Sequence, residues 1–339
     1  MAPDRDPDSD SALDERFRIA ASLVLEERVD QISTLSKCLL DVTDTAPADA
    51  MWLTARRLRA AIELFRPCFS KSQYRGARQE VRTLIQSVGQ RRDMDVAIDT
   101  VSGVGAEMGH AEQEGINRLV DRLRRKQADA NRTLAQSVHG RRMEAFRLRI
   151  EDLTDAAVRN PDDDGREAYE PLGRIPDSAL ELVEVRLARL RASVPAALEP
   201  DAVREQHRMR VAAERLRYAL ELTAEGLGTQ AHTARRAARG LQEVLGEIRD
   251  CDIVLPEVRE KIRILEEEDV ATIFERARGN RDLDPVLVQA SPNRASYRGL
   301  ELLAVHVLAR RRMMFERFKR LWLEQSRQGV WVALETSLK

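Results

Sequence analysis

Cationic side chains one helical turn apart recur along the chain. In the segment 207–220, His207, Arg210, Glu214 and Arg217 follow one another at spacings of three, four and three residues. A helix therefore places them on one face, opposite an apolar face. The planar guanidinium of arginine donates two parallel hydrogen bonds to a phosphate and keeps its charge at cellular pH. A row of such groups about 5–6 Å apart predicts repeated contacts with a linear polyphosphate or a nucleic-acid backbone.

Further basic rows occur in both parts of the chain. Arg78 and Arg82 are one helical turn apart, as are Arg235 and Arg239. Two rows on neighbouring helices predict a trough for a polyanion. The candidate ligands of that polyanion are Arg56, Arg57, Arg59, Arg78, Arg82, Arg92, Arg141, Arg142, His207, Arg210, Arg217, Arg235, Arg239, Arg249 and Arg311.

An Arg-Asp-x-Asp tetrapeptide also recurs. It comprises residues 92–95 and 249–252, and its acids are Asp93, Asp95, Asp250 and Asp252. The acids either cap the start of a following helix or hold neighbouring arginines in fixed rotamers, so they are predicted to support the site. A metal site or an acid–base dyad is disfavoured, because carboxylates two residues apart diverge at a helix start and arginines compete for them. No catalytic residue, metal or cofactor is predicted.

The composition predicts an all-α protein. Aromatic residues make up 4% of the 339 residues and charged residues 33%, and long stretches are rich in Ala, Leu, Arg and Glu. The predicted organisation is a disordered tail over 1–11, a helical half over 12–158, an acidic connector over 159–176 and a second helical half over 177–339. Three cysteines without CxxC spacing predict neither a disulfide framework nor a zinc site and favour a reducing cytoplasm. No apolar run predicts a membrane span.

The second half repeats the first. A shift of 157 residues places Arg78 on Arg235 and Gly89 on Gly246, and it superimposes the two tetrapeptides. A shift of 158 residues places the Arg-Leu-Arg of 57–59 on that of 215–217. Because the arginines recur together with the apolar positions, an internal duplication is predicted in which the cationic pattern is part of the repeat.

The net charge of −1 conceals an uneven distribution. Residues 56–92 contain ten Arg or Lys and two acids, Glu63 and Glu80, whereas residues 151–184 contain eleven acids and three Arg. Arginine runs on helices are often solvated faces paired with glutamates, but the segment 56–92 offers few acids for such pairs. The distribution favours a basic surface that binds anions, balanced by acidic segments elsewhere.

The chain resembles the CHAD family, the conserved histidine α-helical domain. The family pattern His-x-x-Arg-x-x-x-Lys-x-Leu-Arg-Tyr matches His207, Arg210, Leu216, Arg217 and Tyr218. The pattern Leu-Gly-x-x-Arg-Asp-x-Asp matches residues 245–252, with a partial copy at 89–95. The resemblance implies two pseudo-symmetric four-helix bundles with a basic central trough or pore. It also implies non-catalytic binding of inorganic polyphosphate and an association with polyphosphate granules in the cytoplasm.

Three positions depart from the family pattern. Glu214 stands where the family has a lysine. In the first half, Asp49 and Trp52 stand where the histidine and the first arginine would fall. These departures predict a site that is asymmetric or weaker than the family's.

Two other functional classes are weighed against polyphosphate binding. RNA or DNA binding is less favoured because single-strand binders stack bases on aromatic rings, and the basic segments hold few aromatics, chiefly Phe65, Phe69, Tyr74 and Tyr218. A helical scaffold without an anionic ligand would leave the repeated arginines unexplained. No membrane partner is expected, and the sequence specifies no oligomeric state.

Overall fold

The computed structural model describes residues 7–158 and 176–339, and within these ranges the protein is helical with no strand. The prediction of an all-α fold is confirmed. None of the helices in these ranges combines the length and the apolar character needed to cross a membrane. The α-helices are α1 (Pro7–Leu35), α2 (Ala46–Leu64), α3 (Lys71–Ala106), α4 (Gln113–Ser137), α5 (Gly140–Val158), α6 (Asp177–Ala197), α7 (Val203–Leu227), α8 (Thr229–Ala277), α9 (Pro285–Gln289), α10 (Arg294–Arg327) and α11 (Val330–Ser337).

Helix α1 begins at Pro7, within the segment 1–11 for which the sequence predicts a disordered tail. Pro7 occupies the first helical position, where a missing N–H costs nothing, and acidic residues in a first turn favour a helix N-terminus. Residues 1–6 and nearly all of the predicted acidic connector, 159–175, lie outside the described residues.

Residues 71–106 form the single helix α3, whose start is fixed by a capping box. The Ser70 hydroxyl accepts a hydrogen bond from the Gln73 backbone N–H at 3.3 Å, and the Gln73 side chain accepts one from the Ser70 N–H at 3.2 Å. Residues 229–277 also form one helix, α8, which runs through the second tetrapeptide without a break. Helix α8 continues through Pro256, whose cost of about 3 kcal/mol is offset by the burial of neighbours such as Val254 and Val258.

Each half has an apolar core of its own. In the first half the core lies between α1, α2, α3 and α5 and includes Leu25, Leu58, Val81 and Ile150, all fully buried. In the second half it lies between α6, α7, the first part of α8, the end of α10 and α11. Four or more helices thus enclose each core.

A third apolar core joins the halves and differs from the picture of two separate bundles. It takes side chains from the end of α3, the start of α4, the middle of α8 and the start of α10. The backbones of α4 and α10 touch here, because a Cβ on Gly115 or Gly299 would lie 2.0 Å from a carbonyl oxygen of the opposite segment. Long helices therefore run from one half's core into a core shared by both.

Helices at corresponding positions of the sequence repeat lie where the two halves contact each other. Helices α2 and α7 begin at Ala46 and Val203, and α3 and α8 begin at Lys71 and Thr229, so the two pairs start 157 and 158 residues apart. In the folded chain α2 packs on α7 and α3 packs on α8. The elements that carry the two copies of the arginine pattern therefore face each other.

Candidate functional site

Helix α7 is buried on two sides. Its predicted apolar face is in the core, with Met209, Ala213 and Leu216 fully buried. The charged row on the other side is buried as well, because α2 of the first half covers it. Glu214 has no exposed surface, and Arg210 and Arg217 are 9% and 8% exposed.

Glu214 is the counter-charge for three arginines. Its carboxylate pairs with Arg56 Nε and lies 3.7 Å from Arg210 Nη1 and 4.0 Å from Arg59 Nη2. Burial lowers the pKa of Arg56 to about 10, and Glu214 opposes that shift, so the guanidinium stays charged at neutral pH. The acid that replaces the family's lysine therefore lies beneath a cluster of cations.

Trp52 and Asp49 position two arginines in the first half. The guanidinium carbons of Arg56 and Arg92 lie 3.9 Å and 4.6 Å from the centre of the Trp52 ring. Arg92 Nε also donates to Asp49 Oδ1 at 2.5 Å. Guanidinium groups over an indole are stabilised by the ring quadrupole. These two departures from the family pattern therefore hold arginines in place.

A cavity of about 860 Å³ opens between the two halves. Residues of α2, α3, α7, α8 and α10 line this central pocket. Among the predicted site residues it brings together Arg56, Arg92, His207, Arg210 and Arg249, with the predicted supports Asp93 and Asp250. Arg92 and Arg249 are about a third exposed, at 28% and 34% of their side chains, so a ligand can reach them.

The two tetrapeptides act on each other across the central pocket. Arg249 Nη2 donates to Asp93 Oδ2 of the other half at 3.5 Å. Burial raises the pKa of Asp93, and Arg249 and Arg92 oppose the rise. Burial also raises the pKa of Asp250, where the largest opposing charge is Arg92 of the other half. Each half thus supplies the arginine that faces the other half's acid.

The predicted role of these acids as helix caps is wrong. All four acids lie inside α3 or α8, where the backbone N–H groups are already bonded. Asp95 accepts hydrogen bonds from Arg91 at 2.7 Å and Gln127 at 2.6 Å, and Asp252 accepts one from Arg311 at 2.6 Å. The alternative prediction, that the acids hold arginines, describes their contacts.

His207 adds a neutral polar group to the central pocket. Burial, together with the positive charges of Arg210, Arg249 and Arg56, lowers its pKa to about 4. Its Nδ1 atom is buried without a hydrogen-bond partner among the described residues. At neutral pH the imidazole therefore offers hydrogen bonds to a ligand but no charge.

The central pocket carries charges of both signs, whereas the sequence predicts a basic trough. Glu243 and Glu247 line it together with the two aspartates. Glu247 accepts a hydrogen bond from Arg310 at 2.6 Å, and Glu243 accepts one from Arg239 at 2.8 Å. Within the described residues, no group of three or more His, Cys, Asp or Glu side chains is arranged to hold a metal ion.

A family model described as the CHAD domain matches residues 23–259, well over half of the chain. The chain belongs to the CHAD domain family. Among solved structures, the CHAD domain from the plant Ricinus communis is similar, with 19% identity, a TM-score of 0.56 and coverage of 95% of this chain and 91% of that chain. PptA from Streptomyces chartreusis is 17% identical, with a TM-score of 0.56 and coverage of 90% and 98%. At these identities the two structures show a shared fold. A comparison with curated proteins finds no match.

Three predicted ligands of this CHAD protein are held by bonds within the chain. Arg57 pairs with Glu221 at 3.1 Å, and Arg217 donates to Gln242 at 2.7 Å and pairs with the same Glu221. Arg311 donates to Asp252, to the Pro200 carbonyl oxygen at 2.8 Å and to Gln206 at 2.9 Å. None of the three lines the central pocket.

The other predicted ligands lie away from the central pocket of the CHAD domain. Arg59 is near Arg186 and Arg215 on the far side of α7. Exposed positions on their helices are occupied by Arg78, Arg82, Arg141, Arg142 and Arg239, and Arg235 is half-buried. Arg310, which precedes Arg311 in the sequence and is not among the fifteen candidate ligands, lines the central pocket. The run of three arginines at 310–312 marks this stretch, but the rotation of α10 against α8 decides which one faces the cavity.

Proposed function

We propose that this CHAD protein binds inorganic polyphosphate in the central pocket and does not act on it catalytically. The observation that carries the proposal is the meeting of Arg92 and Arg249, the matching arginines of the two tetrapeptides, in one cavity. Family membership supports the same ligand, since the second-half motif residues His207, Arg210, Gly246, Arg249 and Asp250 line the same cavity. The pocket offers several guanidinium groups to one molecule, which favours a ligand with closely spaced negative charges.

The exposure of the arginines suggests the order of contacts. Arg92 and Arg249 are accessible, whereas Arg210 is 11% exposed by its side chain and Arg56 5%. A phosphate would bind first to the accessible pair and then approach Arg210 and the His207 imidazole. A hydrogen bond to a charged group contributes roughly 1.5–3 kcal/mol, so a few such contacts give useful affinity.

Nucleic acid is the less favoured ligand for a structural reason. Trp52 lines the central pocket with an indole ring that could stack on a base, but Arg56 and Arg92 lie over that ring. Single-strand binders need free aromatic faces on which bases stack. The central pocket therefore offers contacts to phosphate rather than to bases.

Binding without catalysis would retain the protein at polyphosphate granules in the cytoplasm. Asp93 accepts a hydrogen bond from Arg249, and the positive charge of Arg92 acts on Asp250, so arginines compete with any substrate proton for both acids. We therefore expect the polyphosphate chain length, measured by gel electrophoresis, to stay unchanged on incubation with the protein and Mg²⁺.

The experiment is a titration with long-chain polyphosphate over a salt series, in competition with single-stranded RNA of matched charge. Wild-type protein should prefer polyphosphate, with affinity falling steeply as salt rises. Arg92→Ala/Arg249→Ala should lower the affinity by roughly 100-fold, which corresponds to two contacts of about 1.5 kcal/mol each.

The matched control is Arg124→Ala/Arg132→Ala on α4, which also removes two positive charges. These side chains are 65% and 79% exposed and lie outside the central pocket. An equal loss of affinity in the control would show that net charge, rather than this pocket, binds the ligand. A preference for RNA would contradict the proposed ligand.

A further inference from the structure

A second basic cavity lies between α6 and α7. This α6–α7 groove has a volume of about 490 Å³. Arg186 and Arg189 of α6 and Arg208 and Arg215 of α7 line it. None of these four arginines is among the ligands predicted from the sequence, because the groove depends on how α6 packs against α7.

Positive charge exceeds negative charge in the α6–α7 groove. Glu205 lines the groove and pairs with Arg208 at 2.6 Å, and Glu63 pairs with Arg186. Arg189 and Arg215 have no ion-pair partner in the part of the chain that the structure describes. In the central pocket, by contrast, four acids line the cavity beside the arginines. The groove is therefore the more cationic of the two cavities.

The arginines in and beside the groove lie close together, and the acids near them do not neutralise their combined charge. Burial lowers the pKa of Arg215, and the positive charges of Arg59, Arg186 and Arg189 lower it as well, while Glu63 opposes the shift. The Nε atoms of Arg59 and Arg215 are buried without a hydrogen-bond partner among the described residues. Buried donors on charged groups are costly when unpaired, so an anion at this position would stabilise them.

The α6–α7 groove adjoins the central pocket. His207 and Val211 line both cavities from α7. From His207 to Arg215 the helix rises by about 12 Å, so one extended ligand can follow α7 from the first cavity into the second. The basic residues of the groove then meet the part of the ligand that has left the central pocket.

We propose that the α6–α7 groove is a second polyanion-binding site, which holds the continuation of a polyphosphate chain whose first phosphates occupy the central pocket. The inference rests on the proposed function. It makes Arg189 and Arg215 determinants of chain-length preference, because a short phosphate oligomer fills the central pocket alone and a long chain gains the groove contacts.

The test compares tripolyphosphate with long-chain polyphosphate on the full-length protein. Arg189→Ala/Arg215→Ala should lower the affinity for the long chain by roughly tenfold or more and leave the affinity for tripolyphosphate unchanged. Arg92→Ala/Arg249→Ala should lower both affinities, and the control Arg124→Ala/Arg132→Ala should change neither by as much.

The possible outcomes separate this inference from the proposed function. If wild-type protein binds neither ligand, the proposed function fails. If it binds both and the groove variant matches the control on the long chain, or loses affinity for both ligands equally, the inference is overturned and the proposed function stands. Arg189 is exposed, so Arg189→Glu tests the same prediction if the double variant does not fold.

Discussion

Replacing Glu214 with glutamine should destabilise the protein strongly. Glu214 has no exposed surface, and its three partners are nearly buried, with side chains of Arg56, Arg210 and Arg59 exposed by 5%, 11% and 15%. A separation of 4 Å corresponds to about 4 kcal/mol at an effective dielectric constant of about 20. Removing one partner of a buried ion pair costs roughly 3–5 kcal/mol, because the remaining charge is left uncompensated. We expect the unfolding free energy to fall by that amount.

The assay is urea unfolding followed by far-UV circular dichroism, with a second variant to isolate the ion pair. Arg56→Met/Glu214→Leu removes both charges and fills similar volumes, so it should recover the part of the lost stability that comes from leaving Arg56 unpaired, while Arg210 and Arg59 still lack their counter-charge. A loss below about 1 kcal/mol in Glu214→Gln would refute the reasoning, since it would show that the three arginines do not depend on this carboxylate.

Three further predictions concern residues in and outside the site. Because burial raises the pKa of Asp93 and Asp250, both take up protons at a higher pH than an ordinary aspartate does. They then lose their repulsion of phosphate, so polyphosphate affinity should increase as the pH falls; Asp93→Asn/Asp250→Asn should flatten this pH profile. Arg311→Ala should lower the unfolding free energy by roughly 2–4 kcal/mol without changing polyphosphate affinity, because its three hydrogen bonds are made within the chain. A lower polyphosphate affinity at unchanged stability would contradict this prediction. Arg141→Ala/Arg142→Ala should bind polyphosphate as tightly as the control Arg124→Ala/Arg132→Ala, because both residues are exposed on α5 outside the central pocket. A hundredfold loss of polyphosphate affinity would place them in the site.

The helices could be predicted from sequence because each half buries a continuous apolar stripe. The buried positions Met209, Ala213 and Leu216 follow the helical period, and period alone identifies them. The continuity of α8 could not be predicted, since Pro256 normally ends or kinks a helix. Packing in the core shared by both halves stabilises the helix there, and that packing depends on residues far away in the chain.

The candidate site was predictable where the repeat itself carries the information. Arg92 and Arg249 occupy matching positions, and the facing of α3 and α8 brings them to one cavity. Arg217 has the same helical spacing as Arg210 but is bound by Gln242 and Glu221. Sequence spacing gives the face of a helix, whereas the partner on the next helix decides whether an arginine is free to bind a ligand.

The crosswise contacts explain how two halves with similar arginine patterns can line one pocket rather than two. Arg249 donates to Asp93 of the first half, and Arg92 is the largest opposing charge on Asp250 of the second. Neither half alone supplies both an arginine and the acid that faces it across the cavity. The first-half departures from the family pattern fit this arrangement, because Trp52 holds Arg92 on one side of the pocket. His207 and Arg210 of the second half face the cavity from the other side. The two halves therefore contribute different side chains to a single pocket.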